Sequence, residues 1–270
     1  MKPLVEMPRN VARAVRGVLC DIDDTLTTDG QLTPEAYAAL GQLRSAGLLV
    51  IPITGRPAGW CDHIARMWPV DAVVGENGAL YFCYDRKDRK LFTRYRDDAK
   101  TRAANRSRLQ AVRDTILAAV PGAAVASDQL YREADLAIDY CEDVPRLPDL
   151  EIDRIVGIMR AAGMTARVSS IHVNGWFGEY DKLAMTRILL KERFDIDIDV
   201  GAERERLVFI GDSPNDAPMF AFFPTSVGVA NVRSFAVRLE HLPAYVTRVA
   251  SGAGFVELAN FLLDVRRSGG

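Results

Sequence analysis

Twice in this chain a short apolar run ends in a burst of acids. Gly17 to Ile22 (GVLCDI) runs into Asp21, Asp23 and Asp24, and Leu207 to Ile210 runs into Gly211-Asp212-Ser213-Pro214-Asn215-Asp216. Apolar runs of this length, β-branched in part, suit strands buried on both faces of a parallel sheet. In such a sheet reactive groups collect at the carboxyl ends of the strands. The two runs therefore constrain the chain to an α/β fold with both acid pairs on one edge.

The intervening pattern agrees. Thr33-Pro34 reads as an N-cap with Pro at the first helical position, apolar residues at helical spacing follow, and Gly47 stops the helix. Leu48 to Ile53 is the next strand, broken by Thr54-Gly55-Arg56-Pro57. A short helix to about Met67 and a strand at Ala72 to Val74 complete a strand–helix–strand–helix–strand series, which means a doubly wound core. At Asp85 the composition changes: residues 85–114 hold eleven Lys or Arg and five Asp, with no strong apolar period in the first half. Beyond it the pattern predicts helices over Arg106–Val120 and Asp149–Ala162 and strands over Ala134–Tyr140, Met164–Ser169 and Ile171–Asn174. This is a second, smaller α/β module. The core resumes with a helix near Asp181, strands at Leu207–Ile210 and Ser226–Val229, and a last amphipathic helix over Gly254–Val265, with Arg266–Gly270 frayed. The expected division is a core of residues 1–84 and 175–270 interrupted by an insert of residues 85–174.

Charge and composition exclude several classes. Lys plus Arg number 34 against 36 Asp plus Glu, a formal charge of −2, which provides no field to hold nucleic acid or an anionic membrane. The basic stretch from Arg86 to Arg113 could attract a polyanion, but Asp88, Asp97 and Asp98 dilute it and a solvated face is the simpler reading. No run of about 18 apolar residues occurs, and the first residues lack the pattern of a secretory signal, so a cytoplasmic location is expected. Cys20, Cys61, Cys83 and Cys141 form no CxxC pair and read as buried thiols. His63, His172 and His241 have no partner at metal-ligand spacing.

The acids carry the chemistry. Asp21 and Asp23 are two residues apart on an extended segment and point roughly the same way, so their charges repel unless a cation neutralises them. Hard oxygen ligands of this kind suit Mg²⁺, which keeps several waters and leaves room for a phosphate oxygen. One DxD alone fits turn capping equally well, as Lys182 alone fits a solvated helix lysine and Thr54 alone a turn residue. The conjunction decides. DIDDTLT after a first strand, ITGR after a second, Lys182 at a helix start and GDSPND after a later strand together resemble the four motifs of the haloacid dehalogenase superfamily. The insert and the segment Asn77-Gly78-Ala79 resemble the branch with a large α/β cap, that of the Cof-type sugar-phosphate phosphatases and the eukaryotic-type phosphomannomutases.

The resemblance implies a doubly wound, Rossmann-like core, an inserted cap that governs specificity, and roles for named residues. Asp21 would be the nucleophile that forms an aspartyl-phosphate, and Asp23 the acid and base that protonates the departing oxygen and then activates water. Thr54 would hydrogen-bond the phosphoryl group and Lys182 would neutralise it. Asp212 would bind Mg²⁺ with the Asp21 carboxylate and the Asp23 carbonyl, while Asn215 and Asp216 orient these groups. The acid at position 23 fits an alkoxide leaving group rather than carbon–halogen chemistry. In the cap region His172 and Asn174 alternate on one strand face after Ser169 and Ser170, within reach of a sugar hydroxyl or simply bonded locally. Gly55 and Arg56 stand at the pocket mouth, Arg56 facing either a second anionic group or a surface carboxylate. Trp60 reads as core and Cys61 as unactivated. The expected function is Mg²⁺-dependent hydrolysis of a small phosphorylated metabolite, a sugar phosphate by class; a phosphomutase or a non-catalytic binding protein on the same fold are the alternatives.

Overall fold

Strand propensity and helix caps divide the chain as follows in the computed structural model, which describes residues 1–268. The first part runs through β1 (Lys2–Pro3), α1 (Arg9–Ala14), β2 (Gly17–Cys20), the short strands β3 (Thr27–Thr28) and β4 (Gln31–Leu32), α2 (Pro34–Ser45), β5 (Leu49–Pro52), α3 (Ala58–Met67) and β6 (Val73–Gly75). A hairpin of β7 (Leu80–Asp85) and β8 (Lys90–Tyr95) leads to α4 (Ala99–Ala119), β9 (Ala124–Val125), β10 (Asp135–Asp139), α5 (Asp149–Ala161), β11 (Thr165–Val168) and β12 (His172–Trp176). The chain then returns through α6 (Lys182–Phe194), β13 (Leu207–Gly211), α7 (Ala217–Phe222), β14 (Ser226–Gly228), β15 (Tyr245–Val246) and α8 (Ser251–Arg267).

The central sheet is parallel throughout, in the order β1-β15-β14-β13-β2-β5, and a bridge between Ile53 and Val74 brings β6 beside β5. The chain leaves β2 toward β5 and later returns to its other side with β13. The gap between β2 and β13 is therefore the topological switch point, where ligands of such sheets bind. Register sets the rest: Cys20 pairs with Ile210 and with Pro52, so Asp21, Thr54 and Asp212 emerge in a row at one edge. One face buries α1, α2, α3 and α8 through residues such as Leu40, Ile64 and Phe255, and the other buries α6 and α7 through Leu189, Leu190 and Phe220. Each such side chain contributes about 1.5–3 kcal/mol when fully withdrawn from water.

The insert has its own antiparallel sheet, β11-β12-β10-β9, and its own apolar core of Ile116, Ile138, Tyr140, Ile155, Met159 and Val173 under α4 and α5. It forms a cap over the carboxyl edge of the parallel sheet.

Several expectations need correction. The composition break at Asp85 falls in the turn of a hairpin: β8 pairs with β7 from Asp85–Lys90 to Leu80–Tyr95, so the chain leaves the core near Tyr95. Helix α4 begins at Ala99, seven residues before Arg106, because Asp98 accepts a hydrogen bond from Thr101 N at 2.7 Å and caps a first half that is polar all round. Its arginines stack on neighbouring aromatics, Arg108 over Phe177 and Arg102 over Tyr95. The last helix continues through Arg267, where Arg266 donates to the Val15 carbonyl, so fraying does not begin at Arg266; Gly269 and Gly270 lie outside the described residues. Trp60 is not core but half exposed, lying under the Arg56 guanidinium. Cys141 is only half buried, unlike Cys20, Cys61 and Cys83. Among the described residues no helix is long and apolar enough to cross a membrane.

Candidate active site

Asp21 follows β2 directly, held by its own N–H, which donates to the Ile210 carbonyl at 2.9 Å across the switch point. Its carboxylate is buried and accepts a 2.8 Å hydrogen bond from Lys182 Nζ, which also donates to Asp216 Oδ1 at 2.7 Å. Asp216 spends its other oxygen on the N–H groups of Asp212 (3.0 Å) and Ser213 (3.2 Å). Asp212 accepts from Thr25 Oγ1 at 3.1 Å. The carboxylate oxygens of Asp21, Asp212 and Asp216 can all lie within 4.8 Å of one another, and all three residues are buried.

Three buried acids against one lysine leave an excess of negative charge. Burial pushes the Asp21 carboxyl up to about 7, with Lys182 pulling down and Asp216 and Asp23 adding to the push. Burial likewise raises Asp212 well above the carboxylate range, helped by the charges of Asp21 and Asp216. Burial alone would lower Lys182, but Asp21 and Asp216 outweigh it and hold the ammonium charged. A divalent cation fits this charge deficit. Asp216 already accepts from Lys182 Nζ and from the N–H groups of Asp212 and Ser213, whereas Asp21 accepts from Lys182 alone and Asp212 from Thr25 Oγ1 and, at 3.5 Å, Asn231 Nδ2, so Asp21 and Asp212 keep the greater capacity to hold one.

Local sequence explains the precision of Lys182. Asp181 caps α6 by accepting from Ala184 N at 2.8 Å, which fixes Lys182 at the first helical position. Gly78 sits at φ +105 against this cap, and a Cβ there would run into the Asp181 carbonyl. Asn77-Gly78 thus lets the loop after β6 approach the helix that presents the lysine. Ser213 and Asp216 form a reciprocal capping box that freezes the GDSPND loop.

Thr54 is fully buried; its hydroxyl accepts from Arg56 N at 3.0 Å. Arg56 is buried too, and its partners are carboxylates of the chain itself. Nε donates to Asp23 Oδ1 at 2.9 Å, Nη2 to Glu142 Oε1 at 2.6 Å and Nη1 to Asp128 Oδ2 at 3.3 Å. It therefore ties the second acid of the motif to the cap and does not stand free at a pocket mouth. Gly55 contributes its carbonyl, which accepts from Arg132 Nη1 at 2.8 Å.

Arg132 is the centre of a second buried network. It pairs with Asp128 at 2.9 Å and Asp135 at 3.0 Å, and Asn174 donates to Asp135 at 2.9 Å. Asn174 thus serves this network. Beside it, fully buried Glu76 accepts from Ala58 N (2.9 Å) in the core and from Glu133 N (2.8 Å) and Ala134 N (2.7 Å) in the cap. Burial, then the charge of Asp135, push Glu76 up to about 7 against the pull of Arg132. A carboxyl raised on folding contributes stability that is full below its unfolded pKa of about 4.5 and is lost as pH rises through about 7. Wild type is accordingly expected to lose melting temperature between pH 5 and 8 more steeply than Glu76→Gln, which thermal scans across that range would measure.

Asp21, Lys182, Asp212 and Asp216 are thus brought together, with Thr54 emerging beside them and Asp23 joined through Arg56. Asn215 lies next to this group, donating to Asn77 Oδ1 at 3.1 Å. His172 lies in the cap, its Nε2 2.8 Å from Glu142 Oε2. Sequence reasoning missed Glu76, Asp128, Arg132 and Glu142. Only the odd left-handed backbone of Glu76 and Asn77 beside Gly78 had a local signal; the rest are ordinary polar residues that tertiary structure brings in.

A parallel α/β fold with buried acids, a lysine and a buried threonine at its switch point offers a place to hold a divalent cation beside an anionic group. Residues 18–117 match the family model for haloacid dehalogenase-like hydrolases. The fold is similar to that of the C-terminal domain of trehalose-6-phosphate phosphatase from C. albicans (TM-score 0.70, 13% identity, 98% of this chain and 99% of that one). It is also similar to sucrose-phosphatase from Synechocystis (0.61, 16%, 92% and 98%) and to a haloacid dehalogenase-like hydrolase from Bacteroides thetaiotaomicron (0.59, 14%, 91% and 98%). A comparison with curated protein sequences found no match. Over residues 18–117 the chain is thus similar to the haloacid dehalogenase-like hydrolases, and over nearly its whole length it shares the fold of the solved structures named above.

Proposed function

We propose that the protein is a Mg²⁺-dependent phosphatase of a small phosphorylated metabolite, a sugar phosphate by class, with residues 1–95 and 177–268 as the catalytic body and the insert as its specificity cap. The observation that carries the reading is the Asp21 carboxylate at the switch point, steadied by Lys182 at 2.8 Å and surrounded by more buried acid than one lysine offsets. The similarity to sugar-phosphate phosphatases in fold supports the substrate class.

In this reading Asp21 attacks phosphorus, and the bond to the ester oxygen breaks as the aspartyl-phosphate forms. Asp23 gives its proton to the departing oxygen, then takes one from the water that cleaves the acyl phosphate, returning Asp21 and releasing inorganic phosphate. Lys182 and the Thr54 hydroxyl stabilise charge on the phosphoryl oxygens. Mg²⁺, held by Asp21, Asp212 and the Asp23 carbonyl, would supply charge neutralisation and hold a phosphoryl oxygen in place. Asp216 and Asn215 position these groups.

Phosphate release from a panel of sugar phosphates, with Mg²⁺ or with EDTA, tests the reading. Release is expected with Mg²⁺ and a loss of at least about 10²-fold with EDTA. Release that is indifferent to EDTA, or none from any ester by folded protein, would refute it.

A further inference from the structure

The catalytic edge of the parallel sheet gathers acids, and its opposite edge gathers arginines. There the ends of α1 and α8 meet the residues that open β2 and β13. Arg16 N donates to the Arg206 carbonyl at 2.6 Å, Leu49 N donates to the Arg16 carbonyl at 2.9 Å, and Arg266 donates to the Val15 carbonyl. Between them lies a cavity of about 570 Å³, lined by Arg13, Ala14, Arg16, Gly47, Arg206 and Arg266. We propose that this cavity is a second binding site, which takes the phosphate chain of a small, multiply charged anion.

Charge sets the sign of the ligand. Four of the six lining residues are arginines and none is an acid, in a chain whose net charge is −2. Arg206 has a carboxylate partner in Glu203 at 3.3 Å, but the two side chains are 40% and 38% exposed, so the pair contributes little. Arg13, Arg16 and Arg266 form no ion pair among the described residues; the nearby pairs belong to Arg44 with Asp71 and Arg267 with Asp264. Helix ends account for part of the pattern, because the carbonyl ends of α1 and α8 each carry about half a negative charge that favours a cation nearby. About one unit of negative charge against four arginines still leaves a surplus, which an anion of several charges would offset. Arg266 adds a donor without an acceptor: its Nε is buried and makes no hydrogen bond.

Size and chemistry set the class. The volume lies within the range of roughly 300–1,000 Å³ that holds small molecules. Guanidinium groups present paired N–H donors that match phosphate oxygens. No aromatic side chain lines the cavity, so nothing there stacks a base and the phosphates are the part that is read. A neighbouring cavity of about 870 Å³ shares Arg16 and Gly47 but is a poorer anion site, since its other arginine, Arg44, is already held by Asp71 at 2.9 Å. The smaller cavity is also preorganised. Arg16 and Arg206 are locked side by side by the backbone bond between them and stand directly before the first residues of β2 and β13. From Arg16 to Asp21 the chain advances five residues along β2, about 16 Å at strand spacing, so an anion here does not compete for the catalytic acids. The site stands whether or not that far edge hydrolyses a phosphate ester.

Titration calorimetry of the full chain with inorganic tripolyphosphate, in EDTA at low ionic strength, tests the proposal. EDTA leaves the catalytic acids without a cation and so keeps the anion away from them. One anion per chain is expected, bound at least tenfold more tightly than orthophosphate and more weakly as salt is added. Arg13→Gln/Arg16→Gln changes two exposed side chains and is expected to weaken tripolyphosphate at least tenfold. Its melting temperature without anion should stay at or above that of wild type, because repulsion among the four cations is relieved. ATP and adenosine separate the two sources of such a chain. ATP bound no more tightly than tripolyphosphate, with adenosine unbound, assigns a bare oligophosphate; ATP bound more tightly assigns a nucleotide. Failure of folded wild type to bind either anion overturns the proposal, as does binding that the double variant leaves unchanged. A single-stranded oligonucleotide or an acidic peptide bound more tightly than both anions also overturns it and makes this edge a docking surface for a macromolecule.

Discussion

Asp21→Asn is expected to lower Mg²⁺-dependent phosphate release by roughly 10⁴-fold or more, the scale on which removal of a covalent nucleophile acts. The amide keeps the shape of the side chain but cannot form the acyl phosphate. The same change is not expected to unfold the protein. Lys182 keeps Asp216 at 2.7 Å, and one of three crowded, buried carboxyls becomes neutral. Melting temperature in the absence of Mg²⁺ should therefore stay at or above that of wild type. This combination separates a chemical role from a structural one: activity falls by orders of magnitude while stability does not fall. A variant with a substantial fraction of wild-type turnover would remove Asp21 from the reaction.

Lys182→Met is expected to damage both. The methionine fills a similar volume but leaves Asp21 and Asp216 buried without their cation, and removing one partner of a buried ion pair costs about 3–5 kcal/mol. If Lys182 acts on the phosphoryl oxygens as proposed, loss of its charge reduces kcat by about 10²–10³-fold, the range seen when one preorganised electrostatic donor is removed. The stability defect has a signature of its own. Because the excess negative charge increases, Mg²⁺ should raise the melting temperature of Lys182→Met by more than that of wild type, measured by thermal scans at matched Mg²⁺ concentrations. An equal or smaller rise would show that the cation does not bind among these acids.

The core was legible because its signals are local. Buried strands announce themselves as continuous apolar runs, and Asp21 and Asp212 need only follow such runs to reach the same edge, a relation completed by the pairing of Cys20 with Ile210. Asp181 before Lys182 is a cap that sequence can name. The hairpin β7–β8 was hidden because its second strand, Lys90–Tyr95, is largely exposed and charged and carries no apolar alternation. Arg56 shows the limit most clearly. Its place after Thr54-Gly55 is readable, but its partners come from residues 23, 128 and 142, and no spacing rule connects them. Arg132 and Glu76 belong to the same class: each is an unremarkable charged residue until the cap folds back and the two are sealed between layers.

The aspartyl-phosphate on Asp21 is the step that separates the proposed mechanism from any other. A sugar phosphate or p-nitrophenyl phosphate labelled in its phosphoryl group, mixed with enzyme and Mg²⁺ and quenched in acid within the first turnover, should leave label on the peptide that contains Asp21. The label should be absent with EDTA and absent from Asp21→Asn. Turnover with no labelled peptide, or with label on a different residue, would contradict the account.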